Sequence, residues 1–434
     1  MLDLIIKNGS CYIDKDLKDQ DITIKNGKII EIGKIDSEAK EIFDAKGLTV
    51  LPGCIDTQTH FREPGSTDTE DLHSGSRAAI VGGITSVFEM PNTNPPTSSK
   101  KEFQKKLDLA KNRMYCNYAF YFGATPDNAN ELADLKNLEG CCGIKLFAGS
   151  STGNLLVQHE EDMEKIFKSS SKIVAVHSED EEILNMRKKL IKEGDVHTHP
   201  LWRNDECAIS SSRRIVRIAE RYKKKAHILH VTTKQEIDFL SQHKGNITFE
   251  ITPQHLTIYA PDCYDKLGTY AQMNPPIRDK SHYDRLWYGV KNNLNDTIGS
   301  DHAPHLKENK EKNYPNSPSG MPGVQTLMPV MLNHVNDGKL SLEQLINSVC
   351  ENPVKIFGIK GKGFIKKGFD ADFTIVDMNK KIEIKNENIE SKCGWSPFDG
   401  MEFKGTPVST IVGGQIKMRE GKILGEPEGK PLDF

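Results

Sequence analysis

The sequence predicts an α/β protein, a (β/α)8 TIM-type barrel with a small β-sandwich domain built from both termini. Through the middle of the chain, strand-like apolar runs alternate with helical stretches, the pattern of a parallel α/β fold. Eight such runs extend over about 300 residues, which lies within the usual size of a barrel. Both ends of the chain carry short strand patterns separated by turns, and neither end has enough apolar residues for a core of its own.

The terminal strands define the smaller domain, which we expect to comprise residues 1–52 and 360–434. Asn26-Gly27 is a hairpin signal between two strand patterns, and Gly413-Gly414 is a second turn. The terminal strand patterns lie at residues 3–7, 22–25, 28–32, 372–376 and 409–412. The sequence therefore predicts a sandwich in which the two ends of the chain share one core.

The barrel is predicted to occupy residues 53–359 and to contain the active site. Its strands are expected at residues 48–55, 84–89, 115–122, 143–147, 173–177, 227–231, 247–251 and 297–300. Asp205 is expected to cap one of the intervening helices. Residues 305–323, rich in Lys, Asn, Pro, Ser and Gly, are predicted to be a long mobile loop that covers a bound substrate.

Composition narrows the functional class. The net charge is −3 and 27% of residues are charged, so the chain has no general positive charge to attract nucleic acid or an anionic membrane. The nine cysteines include no CxxC pair, which favours reduced thiols and a cytoplasmic location. The first residues do not resemble a signal peptide, and no apolar run approaches the roughly 20 residues of a membrane span.

Chemically useful side chains follow the ends of the predicted strands, where a barrel carries its active site. Because strand side chains alternate faces, Asp56, Gln58 and His60 should point the same way at the end of the first strand. One such residue would mean little, whereas a series in register with the barrel indicates a site. The series consists of Gln58, His60, Arg62, Asn92, Lys145, His177, His230 and Asp301.

Lys145 lies in the apolar run Gly143-Ile144-Lys145-Leu146-Phe147, where an amine is unfavourable unless it is paired. Taken alone, this position favours a salt-bridged lysine. The downstream strand-end residues His177 and His230 shift the balance toward a carbamate, formed when the amine reacts with carbon dioxide, that bridges two cations. A single histidine at a strand end is more often structural, but two at successive strand ends favour ligands. Imidazole nitrogens combined with carboxylate-type oxygens suit Zn²⁺.

Asp301 has two interpretations. It is suited to ligate a metal and to act as the general base that takes a proton from water. Alternatively it caps a helix that begins at Pro304, although a cap does not explain the whole run Asp301-His302-Ala303-Pro304-His305. The pair His197 and His199 has the spacing of metal ligands, but its neighbour Pro200 favours a role in a loop.

Four motifs resemble those of the dihydroorotases, a group of cyclic amidohydrolases in the amidohydrolase superfamily, and the resemblance covers nearly the full length. They are His60-Phe61-Arg62-Glu63-Pro64-Gly65, Met90-Pro91-Asn92-Thr93, Met273-Asn274-Pro275-Pro276-Ile277-Arg278 and Asp301-His302-Ala303-Pro304-His305. The resemblance implies a zinc-dependent hydrolase that interconverts L-dihydroorotate and N-carbamoyl-L-aspartate in pyrimidine biosynthesis.

The resemblance also implies roles for individual residues. Asp301 would be both catalytic and a metal ligand. The full set of implied metal ligands is His60, Lys145 as its N6-carboxylated form, His177, His230 and Asp301. The implied substrate-binding residues are Arg62, Asn92, Asn274, His305, Ser319 and Gly320. The implied partner is a small anionic substrate, whose carboxylate the planar fork of Arg62 suits. The resemblance leaves room for a homodimer and for a contact with aspartate transcarbamoylase.

Gln58 departs from the family motif, which has a histidine there. A neutral amide oxygen is a poorer zinc ligand than imidazole, so we expect one firmly bound zinc and a second that is labile or absent. Three rival interpretations stay open: a hydantoinase or allantoinase, a catalytically silent dihydroorotase homologue that serves as a scaffold for aspartate transcarbamoylase, and a β-rich binding module. Arg62 within its motif argues against the first, the retained ligands against the second, and the strand-end series against the third.

Overall fold

The computed structural model describes residues 1–434, and its first five strands belong to a sheet that both ends of the chain build. Asn26-Gly27 turns between the second and third of these strands, as predicted. The strands are β1 (Leu2–Ile13), β2 (Asp16–Lys25), β3 (Lys28–Gly33), β4 (Ala39–Asp44) and β5 (Thr49–Pro52). β1 and β2 are longer than their predicted apolar stretches, because residues 9–13 of β1 also pair with residues 16–20 of β2.

The next eight strands form the barrel, in which every neighbouring pair is parallel and the strands follow chain order. They are β6 (Cys54–Thr59), β7 (Ile84–Glu89), β8 (Asn117–Gly123), β9 (Cys141–Phe147), β10 (Val174–His177), β11 (Ala226–Ile228), β12 (Ile247–Ile251) and β13 (Thr297–Ile298). A parallel bridge between Thr59 and His302 joins the last strand to the first. The predicted fold class is confirmed.

The last four strands complete the first sheet. They are β14 (Phe373–Glu383), β15 (Glu402–Val412), β16 (Gln415–Arg419) and β17 (Lys422–Ile423). The hydrogen-bonded order is β17-β16-β15-β14-β5-β1-β2-β3, with β4 beside β1. Apolar residues from both chain ends, such as Ile6, Ile24, Phe373 and Ile411, lie in one core. Neither end would bury these side chains without the other.

Helices surround the barrel and cover its rims. They are α1 (Leu72–Val81), α2 (Lys100–Ala110), α3 (Ala129–Leu132), α4 (Glu160–Ser169), α5 (Glu181–Arg187), α6 (His199–Trp202), α7 (Asp205–Arg221), α8 (Lys234–Leu240), α9 (Pro253–Thr257), α10 (Asp262–Leu267), α11 (Lys280–Lys291), α12 (Lys307–Lys310), α13 (Leu327–Asn336), α14 (Leu342–Ile346) and α15 (Asn352–Phe357). None of them combines the length and apolar character that a membrane crossing requires.

The predicted first barrel strand, residues 48–55, is wrong as a single element. The chain leaves the terminal sheet at Pro52 and enters the barrel at Cys54, so the apolar run is shared between β5 and β6. Gly53 makes this junction possible, because a Cβ there would lie 2.4 Å from the Thr85 hydroxyl oxygen and 2.7 Å from the Asp372 Cβ. An apolar run with glycine near its middle therefore spans two sheets.

The predicted cap of the longest helix is also wrong by one residue. The side chain of Asn204 accepts the backbone N–H of Cys207, and Asp205 is the first helical residue. Both residue types suit a helix start, since asparagine caps free N–H groups and an aspartate in the first turn favours the helix dipole. The sequence alone therefore does not distinguish which of the adjacent residues Asn204 and Asp205 caps the helix.

A buried ion pair connects the rim of the barrel to its helical layer. Glu89, the last residue of β7, contacts the Lys106 amine of α2, and both side chains are fully buried. Lys106 Nζ also donates to the Met90 carbonyl oxygen at 3.0 Å and to the Thr97 hydroxyl at 3.3 Å. These contacts hold both ends of the segment that contains Asn92.

We predict that Lys106→Met lowers the free energy of unfolding by about 3–5 kcal/mol, because Glu89 would remain buried without its partner. Replacing both residues, as Glu89→Leu with Lys106→Met, should recover most of the loss. Urea unfolding measures both effects. Lys105→Met removes an exposed pair with Glu102 from the same helix and should change stability by less than about 0.5 kcal/mol. Equal effects at positions 105 and 106 would contradict the prediction.

Candidate active site

The structure brings most of the sequence-predicted site residues to one cavity at the carboxyl ends of the barrel strands. Those that line the cavity are Gln58, His60, Arg62, Asn92, Lys145, His177, His230, Asn274, Asp301, Ser319 and Gly320. His305 lies just behind the cavity wall, with its Nε2 3.4 Å from the Arg62 guanidinium and 3.0 Å from the Ser319 carbonyl oxygen. The convergence expected from strand-end positions is thus present.

Three of these residues occupy the left-handed backbone region that ordinary side chains avoid. The φ angles are 63° for Arg62, 38° for His230 and 43° for Asp301. Each follows a barrel strand, at the point where the chain turns away from the sheet. Such backbone is unfavourable by about 1–3 kcal/mol per residue and clusters at functional sites. The fold therefore holds these three side chains in places that a relaxed strand end would not provide.

His177 and His230 form the first of two close pairs. Their facing nitrogens, Nδ1 of His177 and Nε2 of His230, are 3.0 Å apart. The other nitrogen of His177 lies 2.9 Å from the Glu179 carboxylate and donates to it, which leaves Nδ1 with its lone pair toward His230. Burial lowers the pKa of both imidazoles, so both are neutral. Two neutral nitrogens this close require a proton or a cation between them.

His60 and Asp301 form the second pair, with His60 Nε2 3.3 Å from Asp301 Oδ1. His60 Nδ1 lies 2.8 Å from the side-chain oxygen of Asn92, to which it donates, so that Nε2 faces the cavity. Gln58 Nε2 donates to the same Asp301 oxygen at 3.0 Å, while Gln58 Oε1 is buried without a partner. Burial raises the pKa of the Asp301 carboxyl group.

Lys145 connects the two pairs electrostatically. Its amine is buried and makes no ion pair or hydrogen bond, and Nζ lies 4.6 Å from the centroid of the Phe147 ring. Burial lowers its pKa, which favours the neutral amine. In its protonated form Lys145 adds to burial in lowering the pKa of His60, His177 and His230. The salt-bridged alternative for Lys145 therefore lacks a partner.

These residues fit a metal ion on the condition that Lys145 supplies oxygen donors. No group of three or more His, Cys, Asp or Glu side chains converges closely enough to hold an ion. The site instead offers two pairs, His60 with Asp301 and His177 with His230, and an unpartnered amine that acts on both. A lysine that carried two oxygen donors would complete both pairs. The set of nitrogen and oxygen donors then matches what Zn²⁺ prefers.

Arg62 presents donors to the same cavity. Its Nε and Nη2 donate to the Pro304 carbonyl oxygen at 3.3 and 3.1 Å, which fixes the guanidinium plane. Its Nη1 group has no hydrogen-bond partner in the protein. Burial lowers the pKa of Arg62 to about 10, so the group is still cationic at neutral pH. An oriented cation with free N–H groups is suited to a carboxylate.

The structure gives Asn92 and Asn274 supporting contacts as well as a place in the cavity wall. Asn92 bonds to His60 through its oxygen and donates through Nδ2 to the Thr152 carbonyl oxygen at 2.8 Å. The Asn274 side-chain oxygen lies 3.0 Å from His199 Nε2. His197 is instead 3.2 Å from Asp265, so the two histidines of that pair serve different contacts.

Sequence reasoning missed several residues that hold the site. Arg203 bonds to both oxygens of Glu179 and to the Ser150 carbonyl oxygen, 2.6 Å away. Arg203 and His177 keep the pKa of Glu179 far below normal despite burial. The spacing of Glu179 two residues after His177 was an available signal, since side chains of alternate residues share a face. Arg203 and the cavity-lining Ser151 and Thr152 lie in loops without such a signal.

Comparison with known proteins agrees with this geometry. The sequence profile of the Amidohydrolase family matches residues 49–417. A dihydroorotase of Methanosarcina acetivorans is 35% identical, covering 98% of this chain and 94% of the relative. A dihydroorotase of Pyrococcus furiosus is 34% identical, covering 99% of this chain and 96% of the relative. The structure of the L-hydantoinase (dihydropyrimidinase) from Arthrobacter aurescens aligns with a TM-score of 0.94 at 30% identity, over 99% of both chains.

The match extends through the barrel and into the terminal sheet, and the relatives align nearly end to end. The chain therefore belongs to the amidohydrolase family, among its cyclic amide hydrolases.

Proposed function

We propose that this protein is a dihydroorotase, which reversibly hydrolyses the ring of L-dihydroorotate to N-carbamoyl-L-aspartate and thereby serves pyrimidine biosynthesis. The observation that carries the proposal is the unpartnered Nη1 group of Arg62 in the cavity that also contains Asp301 and Lys145. Dihydroorotate has a carboxylate for that arginine, whereas hydantoin has none. The two dihydroorotase relatives support the same choice.

We propose that Zn²⁺ is the metal and that Lys145 is N6-carboxylated. The ligands would be His60, Lys145, His177, His230 and Asp301. When bound, the zinc supplies Lewis acidity, which polarises a carbonyl group and lowers the pKa of water so that hydroxide is available to attack near pH 7. Carbamate formation needs a neutral amine, and burial lowers the pKa of Lys145 to about 7 although the charges of Asp301 and Glu250 act to raise it.

The protein's own residues would bind the substrate and move the proton. Arg62 would hold the carboxylate, with His305 and Asn274 in the adjacent wall. Asp301 Oδ1 accepts from Gln58 and lies beside His60, so Oδ2 is the freer oxygen to take the proton from the attacking water. Asp301 would then give that proton to the ring nitrogen as its bond to the carbonyl carbon breaks. In the synthetic direction the same atoms would close the ring and release water.

Substrate turnover tests the proposal. We predict that the purified protein hydrolyses dihydroorotate with a kcat/KM at least about 100-fold above that for hydantoin or allantoin, because only dihydroorotate gains the charged bond to Arg62. A chelator should abolish turnover, and added Zn²⁺ should restore it. Preference for hydantoin would favour a hydantoinase, as the name of the structural relative has it. No turnover with metal present would favour a catalytically silent scaffold.

The role of Lys145 predicts a joint requirement for metal and carbon dioxide. Metal-stripped protein should regain bound zinc and activity when Zn²⁺ and bicarbonate are added together, and much more slowly in buffer free of carbon dioxide. Lys145→Met should lose at least about 1,000-fold in kcat/KM, or about 4 kcal/mol of transition-state stabilisation. The exposed Lys225→Met is the matched control. Full zinc binding by Lys145→Met would refute the bridging role.

Gln58 predicts an asymmetric metal content. Its amide is bonded to Asp301 and offers one neutral oxygen, so protein dialysed without added zinc should retain one ion per chain. Gln58→His should raise the retained number toward two, since imidazole is the stronger ligand. Metal analysis of both proteins provides the measurement. Two ions retained by the unsubstituted protein would contradict the asymmetry.

A further inference from the structure

Lys310 is a fully buried cation with no acidic partner. It lies at the end of α12, within the segment that the sequence predicts as a mobile loop. Its Nζ donates to three backbone carbonyl oxygens, those of Gln272 at 3.0 Å, Pro318 at 2.9 Å and Gly320 at 3.1 Å. An ammonium group has three N–H donors, so all three are used. Burial lowers the pKa of Lys310 to about 7, because no carboxylate offsets the loss of water.

The three carbonyl groups belong to two separate segments that meet at the cavity wall. One is the segment around Gln272, which leads directly to the cavity residue Asn274. The other contains Ser319 and Gly320, which line the cavity themselves. The Lys310 ammonium thus joins the two segments at the edge of the proposed substrate site.

Gly320 shows how closely this wall is packed. Its φ is 144°, and a Cβ on it would lie 2.5 Å from the Ala303 carbonyl oxygen and 2.9 Å from His305 Nε2. The Gly320 N–H donates to the Gln272 carbonyl oxygen at 2.9 Å, so that one oxygen receives bonds from both Gly320 and Lys310. A small movement of the segment would therefore shift the backbone that faces the substrate.

Neutral side-chain bonds also join the two segments, and one of them runs from the Ser317 hydroxyl to Gln272 Oε1 at 2.6 Å. Gln272 Nε2 donates to the Ser317 carbonyl oxygen and to the Ser319 hydroxyl, both at 3.0 Å. These are neutral bonds, whereas the bonds from the ammonium form of Lys310 are charge-assisted and stronger. Lys307 lies on the same short helix but is exposed and makes no comparable contact, which shows that the helix alone does not create the junction.

We propose that Lys310 is a positioning residue of the active site, which holds the Ser319-Gly320 backbone against the Gln272 segment at the distance that substrate binding requires. The proposal rests on the proposed function. Lys310 does not contact the reacting atoms, so its loss should weaken substrate binding much more than it slows the chemical step.

Steady-state kinetics distinguish positioning from general structural support. Lys310→Met keeps the length of the side chain and removes its N–H donors. We expect KM for dihydroorotate to rise about 10- to 100-fold, the worth of one or two charged hydrogen bonds, with kcat within about threefold. Lys307→Met should leave both constants unchanged. A fall in kcat with KM unchanged, or no change in either constant, would overturn the proposal.

Chemical rescue tests whether the N–H donors are the required feature. Lys310→Ala leaves room for a small amine, and propylammonium should lower its KM toward that of the unsubstituted protein. Tetramethylammonium has the same charge and no N–H group, and it should have no effect. Equal rescue by the two cations would refute the role of the donors. If Lys310→Met does not fold, Lys310→Gln replaces it, with KM between those of the alanine variant and the unsubstituted protein.

Hydrogen exchange separates this inference from the proposed function, because it needs no turnover. In Lys310→Met, the amides of Ser317, Ser319, Gly320 and Met321 should exchange at least about tenfold faster, while the amides of the barrel strands exchange as before. Unchanged exchange at residues 317–321 would overturn the positioning role even in an active dihydroorotase. Faster exchange in a protein that does not turn over dihydroorotate would refute only the proposed substrate.

Discussion

Closure of the barrel between its first and last strands is the constraint on which the site depends. The chain reaches Asp301 about 240 residues after Gln58, yet the two side chains are hydrogen-bonded at 3.0 Å. Three hydrogen bonds bring the ends together: Ser300 N–H to the Asp56 carboxylate, His60 N–H to the His302 carbonyl group, and His302 N–H to the Gln58 carbonyl group. Without this junction, the pair formed by His60 and Asp301 would not exist.

The closed barrel also creates an electrostatic problem, since it collects charge where water is excluded. The structure solves it in two ways. Glu179 and Arg203 neutralise each other directly, and their contact orients His177. Lys145 has no ion-pair partner, and Asp301 contacts only the neutral groups His60 and Gln58. Burial lowers the pKa of Lys145 and raises the pKa of Asp301, which favours the neutral form of each. The contact between Glu179 and Arg203 is therefore structural, whereas Lys145 and Asp301 remain available for chemistry.

Strand-end positions were predictable because a parallel barrel sends every strand end to one rim, so that alternation and register were enough to place His60, Lys145, His177 and His230 together. Contacts from loops were not, since no period relates Arg203 or Thr152 to the residues they touch. The split at Gly53 was missed because a strand pattern records burial and does not record which sheet provides it. The predicted loop at residues 305–323 does line the cavity, but sequence gave no sign that Lys310 anchors it.

Gln58 illustrates how a departure from a motif redistributes contacts. A neutral histidine at this position would offer one ring N–H and one acceptor nitrogen in fixed directions, whereas the glutamine amide donates to Asp301 Oδ1 and leaves its own oxygen buried and unpaired. The glutamine would therefore weaken one end of the proposed metal site, while its bond to Oδ1 fixes the orientation of the carboxylate proposed to carry the proton. Because Oδ1 already accepts from Gln58, Oδ2 is the freer oxygen for the proposed proton transfer, and the residue that departs from the family pattern would still serve the proposed reaction through Asp301.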